Sequence, residues 1–144
     1  MTEPVLRVEQ VESYYGKIQA LRSTNIEVTP GQIIAVLGSN GAGKTTTLRT
    51  ISGIVRAQTG RVLLDGDDIT RLPAHEIARR GVVYVPEGRH ILKGLSVQEN
   101  LELGSFTVRD HGLRRERLAD VYERFPILAA RRNQDGSLLS GGEQ

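Results

Sequence analysis

The residues with the clearest chemistry form a glycine-rich run, LGSNGAGKTT, from Leu37 to Thr46. Gly38, Gly43, Lys44 and Thr45 fit the pattern G-x-x-x-x-G-K-[ST] without a mismatch. Glycines let backbone N–H groups turn toward phosphate oxygens, and a helix N-terminus adds partial positive charge at the same point. In this pattern the lysine reaches the β- and γ-phosphates, and the hydroxyl binds the Mg²⁺ that bridges them. The run therefore predicts a site for the phosphates of a nucleotide and its Mg²⁺.

The predicted phosphate site takes in the whole loop and the residues directly after it. Its nucleotide-binding residues are Gly38, Ser39, Asn40, Gly41, Ala42, Gly43, Lys44, Thr45 and Thr46. Lys44 is also a predicted catalytic residue, and Thr45 is a predicted metal ligand. The alternative is a glycine-rich turn that carries a lysine by accident, but the loop lies between an apolar run and a helical pattern, as the motif requires. The motif does not identify the activity, because kinases, GTPases, helicases and transporters share it.

Two elements must position this loop. The continuous apolar run Ile33–Leu37 predicts a strand buried on both faces. Residues 44–52 predict a helix with Leu48 and Ile51 turned inward, which Gly53 ends. The order is therefore strand, loop, helix.

The remaining elements are read from short apolar runs and turn residues. Residues 5–28 predict two or three antiparallel strands with a turn near Tyr15 and Gly16. Three helices are predicted, from Pro73 to Arg80, from Val97 to about Leu103 behind a capping box of Ser96 and Glu99, and from Leu113 to Phe125 with Leu118, Val121 and Tyr122 on one face. The further strands are Arg61–Leu64, followed by a turn at Asp65 and Gly66, and Val82–Val85, which is predicted to be buried.

Composition and charge exclude several classes of protein. The chain has 144 residues, 38% of them hydrophobic, and a net charge of +2, which is too small to indicate nucleic-acid binding. There are no cysteines, no signal-peptide pattern and no apolar run long enough to cross a bilayer. We therefore expect one cytoplasmic domain at most. The seven arginines between Arg109 and Arg132 are interpreted as a solvated helix face, in preference to a nucleic-acid or lipid surface, and the three histidines lack metal-ligand spacing.

The second signature is LSGGEQ, from Leu139 to Gln144. Alone it is typical of a flexible turn, but together with the phosphate loop it resembles the nucleotide-binding subunits of the ATP-binding cassette family. The resemblance implies ATP and Mg²⁺ as cofactors. It also implies that Ser140, Gly141 and Gly142 lie at a helix N-terminus and bind the γ-phosphate of an ATP held by a second ATPase subunit, identical or not, packed head to tail.

Two further positions gain a role from the resemblance. Tyr15 matches the aromatic residue that stacks on adenine in the family, with a buried strand tyrosine and neighbouring Tyr14 as the alternatives. Glu87 stands where most members carry a glutamine, in the loop that senses Mg²⁺ and the γ-phosphate and touches the membrane subunit. It is therefore a predicted catalytic and metal-binding residue, with a solvated carboxylate as the alternative.

The stretch YVPEGRHILKGLSVQENL, from Tyr84 to Leu101, narrows the resemblance. Its Pro-Glu-Gly-Arg context, and Glu143 in the signature, look like the subgroup that energises branched-chain amino acid import. Residues 90–94 depart from the aromatic residue and proline that this subgroup often shows, which leaves the membrane partner open.

The resemblance implies an α/β fold: a P-loop NTPase, the core of the cassette, with an N-terminal antiparallel β subdomain, the start of a helical subdomain and an incomplete sheet. It implies an ATPase peripheral to the cytoplasmic face of the membrane. The implied partners are transmembrane permease subunits, a second ATPase subunit and, indirectly, a periplasmic or extracellular solute-binding protein. Nucleic acid is not among them.

Residues 1–144 are expected to be the N-terminal part of such a domain. The family's Asp-Glu pair, the Walker B carboxylates, and its downstream histidine are not located in the chain, so the isolated chain is expected to expose apolar sheet surface and to be hydrolytically inactive. The alternatives are a cassette ATPase with a function outside transport and a non-catalytic nucleotide-binding module.

Overall fold

The computed structural model of the protein describes residues 3–88 and 90–144. The chain divides into two compact units, Met1–Tyr84 and Val85–Gln144. Met1, Thr2 and Arg89 lie outside the described residues. Arg89 is the last residue of the Pro-Glu-Gly-Arg motif, so only Pro86, Glu87 and Gly88 of that motif are described.

The first unit is built on an antiparallel sheet of four strands in the order β2-β1-β3-β4. The strands are β1 (Leu6–Tyr15), β2 (Ile18–Val28), β3 (Ala57–Leu64) and β4 (Asp67–Asp68). A two-residue turn at Gly16 and Lys17 joins β1 to β2, and a turn at Asp65 and Gly66 joins β3 to β4. These hairpins confirm both predicted turns, and β3 begins four residues before its predicted start at Arg61.

A bulge in β1 explains its uneven hydrophobic spacing. Val8 and Val11 are both buried although they are three residues apart, whereas a regular strand would turn them to opposite faces. Gln10 takes a left-handed conformation with φ 48°, and its N–H donates to the side-chain oxygen of Asn25 at 2.9 Å. The extra residue restores the inward phase, so both valines reach the core.

Two helices complete the first unit, α1 (Lys44–Ile51) and α2 (Ala74–Arg79). Both confirm predicted helices to within a residue of their predicted ends. The buried hydrophobic core of this unit consists of Val8, Val11, Leu21, Ile51, Val62, Ile69 and Ile77. Because α1 contributes Ile51 to this core, the helix is packed against the sheet. The loop before α1 is continuous with the helix, so its position is fixed as well.

The two runs predicted as buried strands, Ile33–Leu37 and Val82–Val85, are wrong in that respect. Neither pairs with a strand of the sheet among the described residues. The side chain of Ile33 is 96% exposed and that of Val85 is 78% exposed. An apolar run becomes a buried strand only where neighbouring strands and helices cover it. The expectations of an incomplete sheet and of exposed apolar surface are confirmed.

Leu48 is a second correction. The helical pattern predicts that it points inward with Ile51, yet it is 46% exposed. The buried side of α1 is instead made by Ile51 and by threonines, Thr46, Thr47 and Thr50. The hydroxyls of Thr50 and Ser13 lie 3.1 Å apart in a buried pair, so a polar contact holds the helix to β1.

The second unit is helical. Its elements are α3 (Val97–Gly104), α4 (His111–Arg124), α5 (Pro126–Ala130) and a short 3₁₀ helix, Gly136–Leu138. The capping box predicted at α3 is present: the Ser96 hydroxyl accepts from the Glu99 N–H at 3.2 Å, and the Ser96 N–H donates to the Glu99 carboxylate at 2.7 Å. The helix predicted over 113–125 is also confirmed. Its apolar face is only half-buried, since α4 contains no fully buried residue, and Phe125 is exposed.

The capping carboxylate of α3 leads to a prediction about the pH dependence of stability. Hydrogen bonds from Ser96, first its hydroxyl and then its backbone N–H, lower the pKa of Glu99 below its usual value. A folded-state pKa below the unfolded one stabilises the fold above the ordinary carboxylate pKa of about 4, and the stabilisation is lost as the pH falls further. We expect melting temperatures, followed by circular dichroism, to fall between pH 6 and pH 3 by less in Glu99→Gln than in the wild type. Identical pH profiles would show that this carboxylate does not contribute.

Candidate functional site

The phosphate loop runs directly into the N-terminus of α1. Gly43 precedes the helix with φ 89°, and no side chain caps it among the described residues. The first amides of an α-helix have no intrahelical acceptor, and their partial positive charge attracts anions. Among the described residues, the N–H groups of Lys44, Thr45 and Thr46 have no acceptor, and the first paired amide is that of Thr47, which donates to the Gly43 carbonyl at 2.8 Å. Free amides at a helix start are what a phosphate site requires.

Gly43 is needed for its size as well as its conformation. A Cβ atom at this position would lie 2.9 Å from the Leu21 Cδ2 atom and 3.0 Å from the Ala20 carbonyl oxygen. Both contacts come from β2, so the loop is pressed against the sheet. This packing fixes where the helix N-terminus points.

Lys44 is held inside the loop rather than in solvent. Its Nζ atom donates to the carbonyl oxygens of Gly38 and Ser39, each at 2.8 Å. The ammonium group therefore lies at the loop and interacts with two carbonyl dipoles. It can exchange these for a more negative partner. A bound phosphate would be such a partner.

The hydroxyl groups of α1 divide into two sets. Thr47 donates to the Gly43 carbonyl at 2.9 Å, and Thr50 donates to the Thr46 carbonyl at 2.8 Å. The Thr45 hydroxyl makes no such bond among the described residues, so its oxygen is available. Thr46 is buried.

The chemistry of this loop suits Mg²⁺. A hydroxyl oxygen is a hard ligand, and Mg²⁺ usually binds through one or two protein ligands, phosphate oxygens and several waters. Thr45 meets that requirement as a single ligand. Within residues 3–88 and 90–144 no cluster of three histidine or acidic side chains could hold a metal ion.

A cleft of about 660 Å³ lies beside the loop. One wall is β2 from Gln19 to Ile26, and the other is the uncovered run from Ile34 to Leu37. Only Gly41, Ala42 and Lys44 of the loop reach it. Its lining is mainly β2 and the uncovered run, with Thr47 of α1 beside the three loop residues.

Tyr15 and Tyr14 differ in the way an adenine site requires. Tyr15, at the end of β1, is 47% exposed. Tyr14 is half-buried and donates to the Glu12 carboxylate at 3.4 Å. Hydrogen bonding to Tyr84, and next to Tyr15, raises the pKa of the Arg49 guanidinium. Of the two neighbouring tyrosines, Tyr15 is the one whose ring is exposed and open for stacking.

This difference leads to a prediction for the two neighbouring tyrosines. Tyr15→Ala should weaken ATP binding by roughly 5- to 100-fold, because base stacking on an aromatic ring contributes about 1–3 kcal/mol. Tyr14→Ala is the matched control and should leave the dissociation constant nearly unchanged, while Tyr15→Trp should retain binding. Titration with a fluorescent ATP analogue measures all three. A larger loss in Tyr14→Ala than in Tyr15→Ala would reverse the assignment.

The other predicted site residues belong to the second unit. Glu87 is exposed in a turn with Gly88, so its carboxylate is accessible to a partner or an ion. Its assignment as a catalytic and metal-binding residue stays a prediction.

The signature segment forms the beginning of a helical turn. The Gln144 N–H donates to the Ser140 carbonyl at 3.1 Å, which is the spacing of an α-helix. The Glu143 carboxylate accepts the Ser140 N–H at 2.7 Å and pairs with Arg131 at 3.2 Å. Ser140 therefore occupies an N-cap position, and Gly141 and Gly142 follow it, exposed. These residues form a turn and not a helix, so the helix N-terminus implied at the signature stays a prediction.

Three polar residues near these segments have no counterpart in the sequence analysis: Arg49, Asn100 and Asp135. Arg49 lies in the last turn of α1, where basic residues are favoured. Asn100 follows the capping box in SVQEN, and Asp135 precedes a glycine. Asp-Gly is a turn signal. The amides that donate to Asn100 and Asp135, however, depend on how segments far apart in the chain meet.

The fold and the loop together define a class of protein. A glycine-rich loop that enters an uncapped helix beside an open antiparallel sheet is an α/β domain of the phosphate-loop class. Residues 21–144 match the model of the family described as ABC transporter. The chain belongs to this family.

Individual relatives give the same result. The chain is 40% identical over 140 residues to the high-affinity branched-chain amino acid transport ATP-binding protein BraG of Pseudomonas aeruginosa, covering 97% of this chain and 60% of that protein. It is 38% identical over 136 residues to the lipopolysaccharide export system ATP-binding protein LptB of Escherichia coli, covering 92% and 55%. The solved ATP-binding cassette MJ1267 of an ABC transporter superposes with a TM-score of 0.83 at 28% identity, covering 99% of this chain and 61% of that one. The chain thus spans about 60% of the length of BraG.

None of the helices in the described part of the chain is both long and apolar enough to span a membrane.

Proposed function

We propose that this chain is the nucleotide-binding part of an ATPase subunit that drives import of branched-chain amino acids. The observation that carries the proposal is the phosphate loop, in which Lys44 is stationed 2.8 Å from two loop carbonyls beside the uncapped start of α1. Positioning and electrostatic stabilisation make up nearly all of the catalysis of phosphoryl transfer. A loop already arranged around its cation is suited to MgATP.

The residues of the proposed site have separate tasks. The backbone amides from Gly38 to Thr46 surround the phosphates, and Lys44 neutralises their charge. Thr45 supplies a ligand to Mg²⁺, and the exposed ring of Tyr15 stacks on adenine. Glu87 is the proposed catalytic and Mg²⁺-sensing residue of the loop that meets the permease.

The signature is proposed to act on a second subunit. Ser140, Gly141 and Gly142 are exposed at the start of a helical turn, and such a turn offers N–H groups to an anion. In a head-to-tail pair they would close over the γ-phosphate bound by the partner. Permease subunits would hold the pair at the cytoplasmic face of the membrane, and a solute-binding protein outside the membrane would deliver the solute to the permease.

The identity of the solute rests on similarity and on two glutamates. BraG carries branched-chain amino acid transport in its description and has the higher identity of the two relatives described above. Glu87 and Glu143 agree with the importer subgroup that the sequence resembles. LptB, at 38% identity, supports lipopolysaccharide export as the second candidate.

A genetic experiment separates the two candidates. Deleting the gene in its own host should lower uptake of labelled leucine, isoleucine and valine, and the wild-type gene should restore uptake while Lys44→Ala should not. If uptake is unchanged and lipopolysaccharide is depleted from the cell surface, the export function is correct. If neither changes, transport of both solutes is excluded.

A further inference from the structure

Two segments of the second unit are joined along their backbones. The first is the loop 91–96, which lies between Glu87 and α3. The second is the segment 132–139, which leads into the signature. The Val97 N–H donates to the Gln134 carbonyl at 2.8 Å, and the Gly136 N–H donates to the Leu95 carbonyl at 2.9 Å.

Asn100 binds the loop 91–96 through both ends of its amide. Its side-chain oxygen accepts the Leu92 N–H at 2.9 Å. Its NH₂ group lies within donating distance of the carbonyls of Leu92 at 3.2 Å, Leu95 at 3.2 Å and Ser96 at 3.0 Å. One side chain of α3 therefore determines the shape of the whole loop.

Asp135 binds the same loop from the other segment. One carboxylate oxygen accepts the Gly94 N–H at 3.0 Å. The other accepts the Ser137 N–H at 2.8 Å and the Ser137 hydroxyl at 2.7 Å. The carboxylate is thus shared between the loop and the 3₁₀ helix that precedes the signature.

The junction between the two side chains has no spare volume. Gly136 is buried, and a Cβ atom there would lie 2.9 Å from the Ile91 Cγ2 atom and 3.0 Å from the Asn100 amide nitrogen. Beyond the 3₁₀ helix Leu139 is buried, and the Gln144 side chain donates to its carbonyl at 3.0 Å. Close packing of this kind transmits a displacement instead of absorbing it.

We propose that Asn100 and Asp135 are positioning residues that make the loop 91–96 and the signature segment move as one body. The inference rests on the proposed function, in which the permease acts at Glu87, next to the loop 91–96, and the signature closes over a partner's nucleotide. A shift of the loop at the permease is then carried through Asn100 and Asp135 to Ser140.

The test uses the full-length protein in complex with its permease subunits, and compares Asn100→Ala and Asp135→Ala with Glu102→Ala, an exposed position on the same helix. Two quantities are measured: the ratio of permease-stimulated to basal ATPase rate, and the dissociation constant for MgATP. We expect the ratio to fall by about tenfold in both variants, the factor associated with loss of one hydrogen-bond partner, with unchanged MgATP affinity. Glu102→Ala should match the wild type.

Hydrogen exchange provides a second readout that does not depend on activity. In Asn100→Ala the amides of Gly136 and Gln144 should exchange faster together with that of Leu92, whereas a purely local role would affect Leu92 alone. If Asp135→Ala fails to fold, Asp135→Asn is used in its place, because asparagine keeps the size of the side chain.

The outcomes are distinct. A wild-type complex without stimulated ATPase would overturn the proposed function and the coupling with it. An active wild type whose variants keep the normal ratio, or lose ratio and MgATP affinity together, would overturn the coupling alone.

Discussion

Replacing Lys44 with alanine should weaken MgATP binding by roughly 10- to 100-fold, because a hydrogen bond from a charged group contributes about 1.5–3 kcal/mol. In the structure the Nζ atom already lies at the loop, 2.8 Å from the Gly38 and Ser39 carbonyls. Nucleotide binding therefore exchanges two neutral acceptors for charged phosphate oxygens, and it does so without moving the lysine in from solvent. Alanine removes that gain and leaves two carbonyls without their donor.

The measurement is a titration with a fluorescent ATP analogue. Lys17→Ala is the matched control, since it removes the same charge from an exposed turn of the same unit. Lys44→Arg should be intermediate, because a planar guanidinium keeps the charge but lacks the compact shape of an ammonium group. Equal affinities for Lys44→Ala and Lys17→Ala would mean that the loop does not bind the phosphates.

The second large effect concerns stability. Gly60 lies in β3 with φ 79°, and a Cβ atom there would contact the Glu9 carbonyl oxygen and lie 2.5 Å from the Gln10 carbonyl oxygen. Both atoms belong to the backbone of β1 at its bulge, so no side chain can move aside. Gly60→Ala should therefore lower the free energy of unfolding by the cost of a left-handed alanine, about 1–2 kcal/mol, plus about 1–3 kcal/mol for overpacking.

Gly66→Ala separates these two terms. Gly66 has a similar φ of 85°, but a Cβ atom there would meet nothing within 4 Å. Gly66→Ala should therefore lower the free energy of unfolding by the conformational cost alone. Urea denaturation of both variants gives the difference, and equal losses would show that β1 yields at the bulge.

The corrections to the sequence-based expectations share one cause. The patterns of α1, α2, α3 and α4 predict helices that the structure contains, because periodicity, caps and breakers act within a few residues. Whether a side chain is buried, by contrast, depends on which other segments of the chain cover it. Ile33–Leu37 has the composition of a central strand, but no strand among the described residues flanks it. Leu48 has helical spacing with Ile51, yet threonines make the buried side of α1.

The candidate site divides along the same line. The spacing of Gly38, Gly43, Lys44 and Thr45 is contained in one short run, so the motif, its chemistry and the start of the helix follow from sequence. The family resemblance favours Tyr15 over Tyr14, but the sequence does not show how exposed either side chain is. Only the structure distinguishes the exposed ring from the half-buried one that is bonded to Glu12.

The sequence by itself therefore determined the phosphate loop, the capping box at Ser96 and Glu99 and the hairpin turns, since each depends on residues close together. It also determined the family, because the phosphate loop and LSGGEQ are both short motifs. The tertiary structure alone decided which apolar runs are covered, that Gly43 is pressed against β2, and that Asn100 and Asp135 hold one loop from two sides. These features require segments distant in the chain to meet. Their energies arise from contacts and excluded volume, which no local pattern encodes.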